Sequence, residues 1–372
     1  MKVVYLTNLP SPYRVDFFNE ICRGGVDLTV IFERQNASDR DGKWKSTETV
    51  LYKEIYLKSI KVKGERSISL EAIRYIRSLK YDLFVIHGYS TVTAIFAIAY
   101  MRLHKIPYVI SADGGLISTE SKIKTALKQH LISGAKAWLS TGPTTSEYFS
   151  HYGATKNKIF EYPFSSVKQS EVEEPASAEE RTLFRKELCI TEKKVVLFVG
   201  QYIPRKGIDI LLDIARRLEE LDAGLYLVGG EPDNELKTIV NDYNLKGVHF
   251  VPFKTKKELK PYYRAADVFS LPTREDIWGL VINEAMSKGV PVVSTNRCVA
   301  ALTMVDQGKS GYIVDVDDSD QLFEKIADLL NDSEKRSEFA QKAYETAQKY
   351  TIEEMAKRHI IIFGEIIKQS SQ

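Results

Sequence analysis

In the stretch REDIWGLVINEAMSKGVPVVST (274–295), two carboxylates, Asp276 and Glu284, stand eight residues apart around Gly279. A glycine at a strand-to-helix turn lets backbone approach a ligand closely. The first amides of the helix that follows point outward and suit an anion such as phosphate. Glu284 lies about one turn into that helix. There a carboxylate can accept from a pair of vicinal hydroxyls, as on a ribose, while Asp276 in the loop can accept from the hydroxyls of a second sugar. The stretch can thus hold a sugar at each end and a diphosphate between them. The plainer alternative is a capping acid followed by a solvated helical glutamate.

A second stretch, FVGQYIPRKGIDILLDIA (198–215), ends a strand at Gly200 and places Arg205-Lys206-Gly207 before a helix. Two cations beside outward-facing amides make an anion site: arginine takes phosphate oxygens as a fork, lysine as a point charge. The alternative is an exposed basic turn. Neither GxxxxGK[ST] nor GxGxxG is present, which excludes a Walker loop and a dinucleotide fingerprint. The Asp-x-Asp of DVDDSD (315–320) fits a turn and a helix cap better than a metal site.

These residues need elements to position them. Apolar runs at 2–8, 27–32, 83–88, 107–111 and 137–141 alternate with helical patterns such as 14–21 and 68–79. A polar, acidic segment, SSVKQSEVEEPASAEE (165–180), reads as a linker. A second series of strand-like runs follows at 194–200, 224–230, 247–252, 267–272, 291–295 and 311–316. Near-continuous Val/Ile/Leu runs suggest parallel strands buried on both faces. Two such series imply an α/β protein of two doubly wound, Rossmann-like domains, with ligands beyond the carboxyl ends of the strands and the cleft between the domains as the default site. The expected division is 1–165, a linker at 166–180, 181–350, and a last helix at 351–372. That helix carries Met355, Ile360, Ile361 and Phe363 on an apolar face and packs either across the domain junction or as a plain core helix.

The 372 residues suit two domains, and 44% hydrophobic with 27% charged residues is ordinary for a soluble protein. The three cysteines, Cys22, Cys189 and Cys298, form no CxxC or Cys/His cluster, which points to a reducing compartment and away from structural zinc. The N-terminal apolar run is too short for a signal peptide, and the most apolar window, 91–101, is too short to span a bilayer. The net charge of +2 is uneven: residues 1–165 hold 23 Lys+Arg against 15 Asp+Glu, the rest 29 against 35. A basic half suits an anionic partner, a membrane surface or a phosphate-bearing substrate. Nucleic acid is not expected, because no aromatic-interleaved basic stripe appears.

In order and spacing, FVGQYIPRKGIDILL, LYLVGGEPDNE, HFVPFKTKKELKPYYRAADVFSLPTREDIWGLVINEAMSKGVPVVST and QGKSGYIVDVDDSDQL resemble glycosyltransferase family 4, retaining enzymes of the GT-B fold. The likeness is specific over about 194–325, weaker but compatible over the first half, and looks like that of bacterial members that build surface polysaccharide or lipopolysaccharide. It implies two Rossmann-like domains facing across a cleft. It also implies transfer of a sugar from a nucleoside diphosphate, UDP by family habit, to a lipid-linked or saccharide acceptor. The family's Glu-x7-Glu pattern falls on Asp276 and Glu284, so Glu284 would bind ribose, and Asp276, Ile277, Trp278, Gly279 and Leu280 would cradle sugar and diphosphate. The phosphate lysine falls on Lys206. The usual Gly-Arg pair is Gly200-Gln201 here, and Arg205 is placed to supply the missing cation. The base would lie near Pro252 and Phe253.

For the first domain the resemblance implies acceptor contacts from the loop SPYR (Ser11, Tyr13, Arg14) and from SADGG, where Asp113 and Gly114 stand near the family's usual histidine. Asp113 can accept from a hydroxyl of either substrate, and His87 suits a structural hydrogen bond. The residues expected at the chemistry are Asp113, Arg205, Lys206 and Asp276. No nucleophile is visible, and with cations on the phosphate neither metal nor cofactor is expected. SKIKTALKQH (121–130), cationic with Ile123 and Leu127 on one face, is a candidate peripheral membrane contact, so the expected location is the cytoplasm or the inner face of the cell membrane. Two further readings stand beside transfer: a non-catalytic nucleotide-sugar-binding partner, and a GT-B epimerase of a sugar nucleotide.

Overall fold

The computed structural model describes residues 1–35, 49–58, 60–61 and 67–369. By backbone contacts the chain divides into two units: Met1–Ser166 with Thr351–Gln372, and Val167–Tyr350.

The first unit is built on a parallel sheet. Its strands are β1 (Lys2–Thr7), β2 (Asp27–Phe32), β3 (Lys53–Tyr56), β6 (Leu83–His87), β7 (Val109–Ser111), β8 (Ala137–Ser140) and β9 (Ile159–Glu161), with a small antiparallel pair, β4 (Ile60–Lys61) and β5 (Ser67–Ile68), between β3 and β6. The order is β3-β2-β1-β6-β7-β8-β9. Chain order reverses at β1, which pairs with β2 on one side and β6 on the other. Such a switch point opens a crevice at the strands' carboxyl ends. The buried strand residues Val3–Leu6, Val30–Phe32 and Phe84–Ile86 explain the continuous apolar runs, since helices cover both faces.

The helix Ile352–Lys368 belongs to this unit and lies against the helix Pro12–Arg23. It starts at Thr351, whose hydroxyl accepts from the Glu354 amide at 3.3 Å. Its buried positions are Ile352, Met355, Ala356, His359, Ile362, Phe363 and Ile366, a 3.6-residue stripe. Ile360 and Ile361, expected on that face, fall off the stripe, and Ile361 is exposed. In their place His359 is buried between Phe17 and Tyr162, at ring distances of 4.7 and 4.2 Å. Its Nδ1–H donates to Met355 O at 2.8 Å. Burial holds its pKa down to about 3, so it stays neutral.

The second unit repeats the plan with β10 (Lys194–Val199), β11 (Ala223–Val228), β12 (Val248–Val251), β13 (Val268–Leu271), β14 (Val292–Thr295) and β15 (Gly311–Val314). All are parallel, in the order β12-β11-β10-β13-β14-β15, with the switch between β10 and β13. The segment expected as a linker lies on this unit from Val167 onward. Glu173 donates its amide to Ser287 O at 2.8 Å and pairs with Lys288 at 2.8 Å, and Ser177 opens the helix Ala178–Glu187 with a capping box. Its polarity therefore reflects ion pairing along a surface. In DVDDSD, Asp318 caps the helix Ser319–Asn331 and Asp315 accepts from Asn296 at 2.8 Å. Among the described residues no helix is long and apolar enough to cross a membrane.

The packing of the last helix is testable. Phe363 is fully buried, with its ring 6.2 Å from Tyr5. Phe363→Ala should destabilise the first unit by about 3–5 kcal/mol, read as an earlier urea transition. A loss under about 1 kcal/mol would contradict the docking of this helix.

Candidate functional site

At the second unit's switch point the loops after β10 and β13 are laced together. The Arg274 amide and the Thr273 hydroxyl both donate to Arg205 O, at 2.8 and 2.9 Å. Arg205 Nη1 donates to Glu275 O at 2.5 Å, and Arg274 Nη1 to Pro204 O at 2.6 Å. Arg274 also forks onto Asp209 at 2.9 and 2.6 Å and reaches Asp317 at 2.7 Å. Gly207 permits the close approach: its φ is 71°, and a Cβ there would stand 2.0 Å from Pro272 O.

This lacing brings Lys206 onto Asp276 as an ion pair, both side chains largely buried, with Arg205 Nη1 4.0 Å from the same carboxylate and more exposed. From spacing alone these residues have separate tasks, phosphate for the cations and sugar for Asp276. The structure pairs them, and two cations against one carboxylate leave a net positive patch. Asp276 is fixed from behind: its amide donates to Arg297 O at 2.9 Å and its carbonyl accepts from Val299 at 3.1 Å. Gly279, at φ 98°, stands where a Cβ would lie 2.7 Å from Cys298 Sγ. Burial, then the nearby Asp276, pushes the Cys298 thiol up to about 12, so it remains a thiol.

The other expected donor residues are placed as follows. Trp278 is buried, its indole N–H donating to Asn283 Oδ1 at 2.7 Å, so only its main chain belongs to the loop surface. Ile277 is exposed and Leu280 half-buried. Gly200 follows β10 directly, its amide donating to Val228 O at 2.9 Å. Pro252 and Phe253 are exposed beyond β12, where the chain turns into the helix Lys256–Ala265.

That helix supplies side chains the sequence reading missed. With residues 167–173 and the end of the helix Leu280–Met286 it encloses a cavity of about 470 Å³, lined by Lys256, Lys257, Lys260, Lys288, Tyr263 and Glu284 among others. Glu284 accepts from the Tyr263 hydroxyl at 3.0 Å. Burial raises its pKa, opposed by Lys256 and by the Tyr263 bond. The available signal was the lysine spacing in KKELKPYYRA, which aligns cations on one helix face.

In the first unit the switch point gathers Arg14, His87 and Asp113. Arg14 is buried, forms an ion pair with Asp113, and donates to His87 Nε2 at 2.6 Å. A permanently charged guanidinium can only donate, so His87 Nε2 accepts and its Nδ1–H donates to Ser111 Oγ at 3.2 Å. Burial and Arg14 lower the His87 pKa and keep the ring neutral. Burial alone would raise the Asp113 pKa, but the Arg14 guanidinium outweighs it and holds the carboxyl well below the usual range. Arg14 is thus already compensated, where the sequence reading had it meeting an anionic group. Its guanidinium lies 5.3 Å over Tyr13 and 5.4 Å over Phe164. Ser11 is buried and starts the helix through its carbonyl, accepting from Arg14 at 2.9 Å. Gly114 has φ 153° beside Asp113.

Removing Asp113 should strand the buried guanidinium. Asp113→Asn should cost about 3 kcal/mol, and Arg14→Met added to it should restore part of that loss. The group's depressed pKa puts its stabilisation above the ordinary aspartate value, so it is lost as pH falls through the folded-state pKa. Urea titrations from pH 7 downward should therefore show an acid limb in the native protein that is absent from Asp113→Asn.

Residues 179–346 match the family "Glycosyl transferases group 1". D-inositol 3-phosphate glycosyltransferase of Corynebacterium efficiens is 29% identical over 62% of this chain. The chain spans about half the length of the curated relatives it first matches, 57% for that protein. N,N'-diacetylbacillosaminyl-diphospho-undecaprenol alpha-1,3-N-acetylgalactosaminyltransferase of Campylobacter jejuni is 22% identical over 79% of this chain and 80% of its own. The Anabaena protein HepE, solved with UDP and glucose, superposes with a TM-score of 0.71 over 100% of this chain and 99% of its own, at 19% identity. The two Rossmann-like units thus have the GT-B fold, and residues 179–346, with Lys206, Asp276 and Glu284 among them, match the glycosyl transferases group 1 family.

Proposed function

We propose that the chain is a retaining glycosyltransferase that moves a sugar from a nucleoside diphosphate, UDP in the first instance, to a lipid-linked or saccharide acceptor in bacterial envelope polysaccharide assembly. The observation that carries this reading is the Lys206–Asp276 pair, with Arg205 4.0 Å away, set beside Gly279 at a sheet switch point inside the family segment. Lys206 has donors left for a diphosphate after binding Asp276, and Arg205 adds a second cation. They stabilise negative charge as it develops on the departing nucleotide. Asp276 accepts from donor-sugar hydroxyls, and Glu284 from the ribose. In the first unit Asp113, held ionised by Arg14, accepts from a substrate hydroxyl, and its depressed pKa makes it a poor base. Retention with no protein nucleophile leaves the departing phosphate oxygen to take the acceptor proton on the same face. The cations on the diphosphate do what a metal would otherwise do, so none is required. The similar proteins support the substrate classes: HepE was solved with UDP, and the Campylobacter protein is named for a diphospho-undecaprenol saccharide acceptor.

The test is transfer from a panel of UDP-hexoses and UDP-N-acetylhexosamines to polyprenyl-diphosphate saccharides, with the anomeric configuration read by NMR. Glu284→Gln and Asp276→Asn should lower turnover by about 10²–10³ while remaining folded, and Arg205→Ala should weaken UDP binding. Activity should persist in excess chelator. Binding with no transfer would make the chain a nucleotide-sugar-binding partner instead. An inverted product, or activity only with added Mn²⁺ or Mg²⁺, would overturn the mechanism.

The acceptor class brings a membrane contact into the same proposal. The helix Lys122–Ser133 buries only Leu131 and Ile132; Ile123 is 84% exposed and Leu127 48%. Leu103, at the end of the helix Val92–Leu103 that touches it, is 78% exposed. Lys124 and Lys128 both reach Glu120, at 2.8 and 2.7 Å, which reduces the free charge and leaves apolar insertion the larger contribution. Sedimentation with phosphatidylglycerol vesicles should show binding that weakens with salt and is lost in Ile123→Glu/Leu127→Glu. Equal recovery of native and variant chains in the vesicle pellet would refute the contact.

A further inference from the structure

The cavity beside Glu284 has a built-in device for its carboxylate. Tyr263 lies on the helix Lys256–Ala265 and is buried, its ring 5.8 Å from Phe269 on β13. A ring packed in this way points its hydroxyl in one direction, and that direction ends 3.0 Å from Glu284 Oε2. No other hydrogen bond to this carboxylate is made among the described residues. Oε1 therefore keeps both lone pairs and Oε2 keeps one, on a group that borders a cavity. A helical glutamate has three side-chain torsions and would otherwise distribute over several rotamers.

We propose that Tyr263 is a positioning residue for ligand diol recognition: its hydroxyl locks Glu284 in the one orientation that offers the remaining carboxylate lone pairs to vicinal hydroxyls. This rests on the reading of Glu284 as the acceptor for a nucleotide's ribose. The surroundings explain why a lock is needed. The charged groups lining the cavity with Glu284 are Lys256, Lys257 and Lys260 from the same helix as Tyr263, Lys288 beyond the helix that carries Glu284, and Glu171 and Glu173 from the segment before the helix Ala178–Glu187. The glutamates already hold most of the lysines: Lys256 with Glu171 at 2.5 Å, Lys260 with Glu173 at 2.9 Å, and Lys288 with Glu173 at 2.8 Å. An unlocked Glu284 could swing toward these lysines or take up a proton, and in either case would cease to accept from a diol. A phenol that donates favours the ionised carboxylate, in the opposite sense to burial.

The experiment measures calorimetric affinity for UDP and for 2′,3′-dideoxy-UDP from pH 5.5 to 8.5, in the native chain and in Tyr263→Phe, which removes a single oxygen. The native chain should prefer UDP by about tenfold or more, the scale of hydrogen bonds to a charged group. Tyr263→Phe should lose most of that preference while binding the dideoxy compound as before. Ligand binding needs the ionised carboxylate, so it strengthens as pH rises through the Glu284 pKa; loss of the hydroxyl should move that midpoint to higher pH. If Tyr263→Phe does not fold, 3-fluorotyrosine at position 263, a stronger donor of the same shape, should move the midpoint to lower pH. If the native chain prefers UDP and the altered chain does so equally, with an unmoved midpoint, the role of Tyr263 is overturned and that of Glu284 stands. If the native chain shows no preference, the ribose reading of Glu284 fails and the proposal falls with it.

Discussion

The second unit depends on one contact between loops: the main chain of residues 204–207 held against that of 272–276 at the carboxyl edge of β10 and β13. Thr273 and Arg274 fasten the carbonyl of Arg205, Arg205 fastens that of Glu275, and Gly207 permits the approach by lacking a Cβ. Only with that lacing in place do Lys206 and Asp276 meet. Their pairing limits what each can do. A lysine already engaged by a carboxylate is a weaker anion receptor than a free one, and exposed Arg205 supplies the surplus positive charge.

The first unit's switch point shows the complementary electrostatics. Arg14 and Asp113 cancel, and His87 is held neutral by the burial and the cation beside it. A compensated, largely buried constellation of this kind favours hydroxyl ligands, which need acceptors, over anions, which need uncompensated cations. The positive balance of residues 1–165 therefore lies elsewhere, in part on the surface helix Lys122–Ser133, where apolar Ile123 and Leu127 stand beside the lysines.

Much of the fold was legible because parallel strands covered on both faces leave an unmistakable pattern; the cores of β1, β2, β6, β10 and β13 coincide with apolar runs. β3, KEIY, was not legible: it is an edge strand with two exposed and two half-buried residues, and carries no apolar run. The segment from Val167 to Glu180 hides its packing for a related reason. Glu171 and Glu173 are polar because they pair with Lys256, Lys260 and Lys288, and a segment held to a surface by ion pairs has the same composition as one held by nothing. At the last helix, counting apolar residues selected Ile360 and Ile361, whereas the stripe that packs includes His359, whose ring fits between Phe17 and Tyr162.

The amino-acid sequence by itself determined the two βα series, the glycines at 207 and 279 in the strand-to-helix turns, and the residue types available at each strand end. Those are local properties, written in periodicity and spacing. Tertiary structure decided which of these residues meet: that Lys206 pairs with Asp276, that Arg14 is neutralised by Asp113, that the Trp278 ring is buried, and that Tyr263 reaches Glu284. The partners in each ion pair or hydrogen bond are 70, 99 and 21 residues apart. At such separations only the order and register of strands brings side chains within bonding distance, and no local pattern in the chain encodes that.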